Sequence, residues 1–304
     1  MTDPLPARAT DWVTAAVPGA RGVRVLEQFA GATTSSLHSI EVDRDGAPPL
    51  PLVLRRYTDP DVRAEEPQYQ RTEAAALRAL EGLPEVVAPR LVAFDMTGEA
   101  CDVTAVLMGR LEGHPAISPP DVDVWVHGLA EALAAIHRVD GGAIDDVYER
   151  WHDPRTLELP RWAGQPAAWA RLIEASRDLE PTGPQVLLHR DYHPGNVLWH
   201  DGVVTGIVDW PNACRGVAAL DAGHCRRDIV STHGIKAAEA FRTAYAEASG
   251  RIPDALCDAL ALLDSSSDSG FVLNVYHAYG RTDLTVETIH ARLDEYAVLI
   301  ASRL

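Results

Sequence analysis

The stretch from Leu187 to Trp210 limits this chain to few folds and few chemistries. It reads Leu-Leu-His-Arg-Asp-Tyr-His-Pro-Gly-Asn-Val-Leu-Trp, then a short turn, then Thr-Gly-Ile-Val-Asp-Trp. Asp191 and Asn196 lie five apart, in a loop that one apolar strand enters and another leaves. Asp201-Gly202 is a two-residue turn of the hairpin type. Such a hairpin folds Asp209, at the end of the next apolar run, back toward Asn196. A carboxylate, an amide oxygen and a second carboxylate then surround one point. Oxygen ligands of this kind suit Mg²⁺, which contacts phosphates while keeping several of its waters.

Phosphoryl transfer asks for this set of groups. One Asp orients and deprotonates a hydroxyl, and an Asn and an Asp hold a metal that bridges phosphate oxygens. The stretch matches the kinase catalytic-loop pattern His-Arg-Asp-x-x-x-x-Asn, and Asp209-Trp210 stands where protein kinases carry Asp-Phe-Gly. With His193, Pro194 and Gly195 inside the loop, it resembles the aminoglycoside phosphotransferase and choline-kinase group more than the protein kinases. Two motifs in order at a sensible separation outweigh the plain alternative, a polar turn between buried strands.

The resemblance runs over residues 23 to 304. It implies an α+β, bilobal, protein-kinase-like fold. Residues 1–108 would form a small nucleotide-binding lobe with a five-stranded antiparallel sheet, and residues 109–304 a large, mostly helical lobe. ATP or GTP would lie in the cleft as co-substrate, with Mg²⁺. Asp191 is the implied catalytic residue, and Asn196 and Asp209 are the implied metal ligands. His189 supports the loop, and an Asp at position 221 braces it through backbone amides. Leu198, two beyond Asn196, would form the floor under the base.

The 304 residues suffice for two lobes with a substantial core. No run of about eighteen apolar residues suggests a transmembrane helix. The first twenty residues carry an early Asp3 and no apolar core of the signal-peptide kind. Cys101, Cys214, Cys225 and Cys257 show no metal-type pairing and read as reduced thiols of a cytoplasmic protein. A net charge of −17 argues against nucleic acid as partner. It suits a cationic ligand, or serves solubility alone. The expected partners are nucleotide and a small cationic or sugar-containing acceptor, with a monomer or homodimer as the assembly.

Strands are expected over residues 23–29, 37–42, 50–57, 89–95 and 102–108. The small, polar turn after the first strand holds Gly31, Thr33 and Ser35, whose backbone amides would approach phosphate. It resembles the nucleotide-positioning loop of the family in a glycine-poor version. Val53 and Arg55 are two apart on the third strand and share a face. Val53 would lie over the base and Arg55 at the phosphates, where protein kinases place Lys. Arg56 reads as a surface residue of an edge strand. Helical spacing after Pro60, broken near Pro67, puts Glu73 on one face with Ala76, Leu77 and Leu80. Glu73 is the chosen partner for Arg55, with Glu65 and Glu66 as alternatives. A hinge after Met108 would offer the backbone of Met108 to Arg110 to a purine edge.

Val122 to Val139 reads as a helix, ending in Ile136-His137, with His137 as a packed or capping residue. Residues 141–183 combine acidic and aromatic side chains. Asp145, Asp146, Glu149 and Trp162 are candidates for acceptor contact. A helical excursion packing its tryptophans into the core is the equal alternative. Asp264 and Asp268, in a Ser-rich turn, are further acceptor candidates, with solvation as their default reading. The acceptor most in keeping with these features is an aminoglycoside-type or related antibiotic, the activity being resistance. Metabolites such as choline, an amino alcohol or a sugar remain open. Arg55 and the glycine-poor loop also motivate a catalytically weak, nucleotide-binding pseudokinase.

Overall fold

The computed structural model describes residues 4–29, 35–65, 68–264 and 269–304. Two compact units divide the chain, one of Met1–Glu112 with Val208–Asn212, the other of Gly113–Ile207 with Ala213–Leu304. The architecture is mixed α+β.

The first unit opens with α1 (Ala7–Ala16), β1 (Ala20–Phe29), β2 (Ser36–Arg44) and β3 (Ala47–Arg56), continues through α2 (Pro60–Glu65) and α3 (Tyr69–Ala79), and ends with β4 (Leu91–Asp95) and β5 (Ala105–Gly109). The five strands form one antiparallel sheet in the order β1-β2-β3-β5-β4. Alternation along β3 sets what each face buries. Leu52 and Leu54 are fully buried in a cluster with Ala9, Val13 and Val17 from the α1 region, so that helix seals one face. Val53 and Arg55 take the opposite face, and α3 packs against β4 and β5.

The central place of β3 corrects the expectation for Arg56. It is not a surface residue on an edge strand. It is 8% exposed, and its Nη2 meets both carboxylate oxygens of Asp102 at 2.9 and 2.8 Å. The strand is internal because β5 pairs on its far side, and Asp102, just before β5, covers the Arg56 guanidinium.

The second unit begins with the short β6 (His114–Pro115) and α4 (Val122–Ile136), then α5 (Pro166–Asp178). Asp121 caps α4, its side chain accepting the amides of Asp123 and Val124. Next come β7 (Gln185–Leu188), β8 (Val197–His200), β9 (Val203–Ile207) and β10 (Cys214–Val217). The β8–β9 hairpin turns on Asp201 and Gly202, both at positive φ (49° and 78°), the conformation a tight two-residue turn requires. Strand β10 pairs with β7 and was not foreseen. Among the described residues the helices that follow are α6 (Ala219–His233), α7 (Ile235–Ser249), α8 (Ala255–Asp264), α9 (Ser269–Ala278) and α10 (Val286–Ala301).

Helix α6 is the hub, packed by α7, α8 and α10. Gly223 lets α8 approach, since a Cβ there would stand 2.7 Å from the Cys257 carbonyl oxygen. Every residue from Leu220 to Thr232 is buried, including Asp221, His224, Arg226, Arg227 and Asp228. Burying that many polar groups is costly unless each is paired. Arg226 bonds Asp258 and reaches Glu239 at 2.5 Å, which accounts for one of them. The others converge on the loop after β7. Among the described residues no helix is long and apolar enough to cross a membrane.

Candidate active site

The loop from His189 to Asn196 is fixed before it does any chemistry. Asp221, 1% exposed in the first turn of α6, accepts the backbone N–H of His189 at 2.7 Å and of Arg190 at 2.9 Å. His137, fully buried at the end of α4, lies 3.3 Å from the same carboxylate and 2.7 Å from the Tyr245 hydroxyl. Burial opposes the charge on Asp221, yet the His137 contact and the His189 amide outweigh it and hold its carboxyl low. Tyr192 donates to the Leu129 carbonyl at 2.8 Å, tying the loop to α4.

Arg190 carries φ +72°, a strained value for a non-glycine residue. Its guanidinium is sandwiched, 4.3 Å from the Tyr148 ring centroid and 3.8 Å from that of Trp151, and donates to the Glu149 carbonyl at 2.8 Å. The segment 148–151 therefore clamps the residue next to Asp191.

The Asp191 side chain is 27% exposed, enough for a hydroxyl to reach it. Its Oδ1 lies 3.3 Å from His224 Nε2. Its carbonyl accepts Asn196 Nδ2 at 3.0 Å, and its Oδ2 lies 3.5 Å from the same nitrogen. Burial would raise the Asp191 carboxyl, but His193, His224 and His189 outweigh it and hold it far below the usual carboxylate range. A carboxylate held this low orients a hydroxyl better than it strips one.

In the first unit, Arg55 stands between two carboxylates. Its Nε lies 3.3 Å from Glu73 Oε2 and its Nη2 2.7 Å from Asp209 Oδ1. Arg55 is 7% exposed at its side chain, Glu73 is fully buried, and Asp209 is 39% exposed. The Tyr57 hydroxyl donates to Glu73 at 3.1 Å, and the Trp210 amide bonds the same carboxylate. Burial pushes the Glu73 carboxyl up against the pull of Arg55, while Glu73 and Asp209 raise Arg55 despite its own burial. Asp209 also sits at positive φ, +73°. One motif residue in each unit thus holds a backbone conformation that costs energy.

Asn196 in the second unit and Asp209 in the first each carry a hard oxygen donor. Among the described residues no group of three or more His, Cys, Asp or Glu is placed to hold a metal. Asn196 turns its amide nitrogen to Asp191, so its oxygen faces elsewhere, and Arg55 engages one oxygen of Asp209. A few protein oxygens completed by phosphate and water are what Mg²⁺ accepts.

The remaining expectations divide. Met108 is 5% exposed, and the amides of Gly109 and Arg110 bond the carbonyls of Arg90 and Pro51 at 2.9 and 3.2 Å. Two of the expected purine-facing donors are thus used within the sheet. The Arg110 side chain reaches Ser39 at 2.8 Å and Glu27 at 3.3 Å. Val53 and Leu198 are half-buried. Ser35 is 8% exposed and, among the described residues, its hydroxyl has no partner. Gly31, Thr33, Glu66 and Asp268 lie outside the described residues.

On the acceptor side, Asp145 and Glu149 are exposed and Asp146 is half-buried, its carbonyl accepting the Arg215 amide at 2.8 Å. Asp264 lies 3.4 Å from His152. Trp162 stacks on His290 of α10, centroids 3.9 Å apart, and meets Trp169 of α5 edge-on at 5.2 Å. Its contacts are with packing helices. Trp151, 46% exposed, lies instead over Arg190 with its ring 5.9 Å from that of His224. Sequence reading missed His224 and the Arg190 clamp, since neither shows a local spacing. The one signal was a polar run, His224 to Asp228, inside an apolar helical context.

Three kinds of likeness bear on this geometry. The model of the phosphotransferase enzyme family, APH, matches residues 38–257. A homoserine kinase of Phenylobacterium zucineum (strain HLK1) is 28% identical over 137 residues, 41% of this chain and 40% of that protein, so the match spans less than half of the relative's length. Among solved structures, a thermostable mutant of aminoglycoside phosphotransferase APH(4)-Ia, in ternary complex with AMP-PNP and hygromycin B, superposes with TM-score 0.61 at 15% identity, covering 98% of this chain and 99% of that one. Macrolide 2'-phosphotransferase MphH from Brachybacterium faecium gives 0.56 at 20% identity, covering 93% and 92%. The solved structures share the fold, and the family model covers most of the chain and reaches through Asp191, Asn196, Asp209 and Asp221. This chain belongs to the phosphotransferase enzyme family.

Proposed function

We propose that this protein transfers the γ-phosphoryl group of ATP or GTP to a hydroxyl of a small polar acceptor, first among them an aminoglycoside-type or related antibiotic, so that its activity is resistance. The observation that carries the reading is the Asp191 carboxylate, ionised, reachable, and mounted on a loop that Asp221 pins through two amides. Structural neighbours bound to AMP-PNP with hygromycin B, or to ADP with spectinomycin, support the nucleotide and the acceptor class.

The acceptor hydroxyl oxygen attacks the γ-phosphorus as the bond to the β–γ bridging oxygen breaks, and ADP or GDP leaves. The hydroxyl proton passes to Asp191. A loose transition state makes that transfer late, so a weakly basic carboxylate suffices to aim the hydroxyl. Asn196 and Asp209 would hold Mg²⁺, whose charge offsets that of the phosphates when it is bound. Arg55, set by Glu73, contacts phosphate oxygens, and the Ser35 hydroxyl is a further donor to them. Positioning and charge complementarity supply most of the rate gain.

A second reading, an amino-alcohol or related metabolite as acceptor, is favoured by the homoserine kinase match. Incubation with ATP or GTP and a panel of aminoglycosides, macrolides, choline, L-homoserine and simple sugars, read by mass, separates the two. A phosphorylated antibiotic supports resistance. Transfer confined to homoserine or choline replaces it with the metabolic reading. Tight nucleotide binding without Mg²⁺-dependent transfer or hydrolysis contradicts both.

A further inference from the structure

We propose that His224 is a positioning residue for Asp191: it holds Oδ1 toward α6 and so leaves Oδ2, the oxygen beside Asn196, as the one that receives the acceptor hydroxyl. The inference rests on Asp191 being the residue that orients the acceptor. His224 is 5% exposed, and its Nε2 lies 3.3 Å from Asp191 Oδ1. Asn196 Nδ2 lies 3.5 Å from the other oxygen, Oδ2. The two carboxylate oxygens therefore have different neighbours on different elements. A carboxylate free to rotate about its last torsion would present either oxygen.

Two carboxylates and a guanidinium converge on His224 Nε2. Asp191 and His193 face it from the loop, His193 with its ring 6.4 Å away. Arg227 and Asp228 face it from α6, and Trp151 meets it edge-on. Asp228 Oδ2 lies 3.6 Å from Nε2, and Arg227 Nη2 lies 3.4 Å from Nδ1 and 2.9 Å from Nε2. With hydrogen on Nε2, the ring donates to Asp191, and Arg227 has Nδ1 as its acceptor at 3.4 Å in place of Nε2 at 2.9 Å. With hydrogen on Nδ1, Nε2 presents a lone pair to two carboxylates. The two carboxylates facing Nε2 favour the first arrangement, against the shorter Arg227 contact, which favours the second.

The support continues outward. Arg227 lies 3.2 Å from Asp228, and Asp228 accepts the Tyr276 hydroxyl of α9 at 2.5 Å. These fix the carboxylate beyond the ring and keep it from swinging. His224 is thus held on three sides, and a fixed ring can fix what it touches. This residue has no counterpart in the spacing of the loop motif. It reaches Asp191 only because the first turns of α6 pass beneath the loop that Asp221 pins.

The test reads Asp191 directly and needs no acceptor. The full chain is labelled with ¹³C at aspartate carboxyls, the Asp191 signal is assigned by its loss in Asp191→Asn, and pH is lowered from 7 to 4. In the wild type the signal stays at its ionised position. In His224→Leu it moves up into the titrating range. In His224→Gln, which keeps volume and an N–H donor, it moves in the same direction by less. If the leucine protein does not fold, the glutamine protein decides. An Asp191 signal unchanged in the folded variants overturns the proposal. On the acceptor that the mass panel identifies, His224→Leu lowers kcat about 10- to 100-fold with KM for nucleotide unchanged, and His224→Gln restores part of it. Loss of transfer in the wild type with the carboxyl shift intact would count against the proposed function and not against the pairing.

Discussion

Asp221 accepts the backbone amide of His189 at 2.7 Å from a position 1% exposed to solvent. A second amide, from Arg190, and the His137 ring share the same carboxylate. Asp221→Asn replaces one acceptor oxygen by a donor that faces an N–H. The expected cost is about 2–5 kcal/mol of folding stability, as for a buried charged acceptor removed from its donors. Urea unfolding checks the cost. A kcat that falls while nucleotide KM holds checks the link to the loop. An equally stable Asp221→Asn protein contradicts the brace.

Arg55 bridges Glu73 and Asp209 through separate nitrogens. Arg55→Ala leaves Glu73 buried without its cation and should cost about 3–5 kcal/mol. Arg55→Lys keeps the charge but not the fork, and should fall between. Nucleotide KM rises in both and more in the alanine protein. Thermal melts with nucleotide titration measure this, and an Arg55→Lys protein worse than Arg55→Ala speaks against the bridge.

Trp151 and Trp162 should separate. Trp151→Ala uncovers Arg190 beside Asp191 and should raise acceptor KM on the order of 10-fold with nucleotide KM unchanged, the loss of a ring contact worth about 1.5 kcal/mol. Trp162→Ala removes a stack on His290 and should lower stability by about 3 kcal/mol with acceptor KM unaffected. Steady-state kinetics and chemical unfolding on both proteins distinguish them. The reverse pattern would return Trp162 to the acceptor side.

His233 gives a pH dependence with a definite sign. Burial against Trp125, with Arg281 and Arg292 near, lowers it from the ordinary 6.5 to about 4. Between those values the unfolded chain binds a proton that the folded chain refuses, so stability falls as pH falls from about 6.5 toward 4. His233→Phe removes that proton site and should flatten the decline. Urea midpoints at pH 7.5 and 4.5 for both proteins measure the difference, and parallel declines would contradict it.

Local elements were easier to read from the sequence than long-range packing. The loop and hairpin that carry Asp191, Asn196 and Asp209 were legible because they are local, and the Asp201-Gly202 turn announces itself. Glu73 was legible because strand and helix periodicity place it on a face. Arg56 was not, since only the pairing of β5 makes β3 internal. Strand β10, Cys-Arg-Gly-Val, is too short and too mixed to show alternation. Helix α6 is buried on every side and shows no apolar stripe, so its His224, Arg227 and Asp228 gave no hint of direction. The Arg190 clamp joins residues about forty apart through a cation and two rings, which no spacing encodes.

The central claim is that Asp191 directs phosphoryl transfer to a hydroxyl. Wild-type and Asp191→Ala proteins are compared by mass for phosphorylated product on the acceptor panel, with nucleotide binding followed by calorimetry. The account predicts product with the wild type, a loss on the order of 100-fold or more with Asp191→Ala, and nucleotide affinity retained. An Asp191→Ala protein that transfers at the wild-type rate would contradict it.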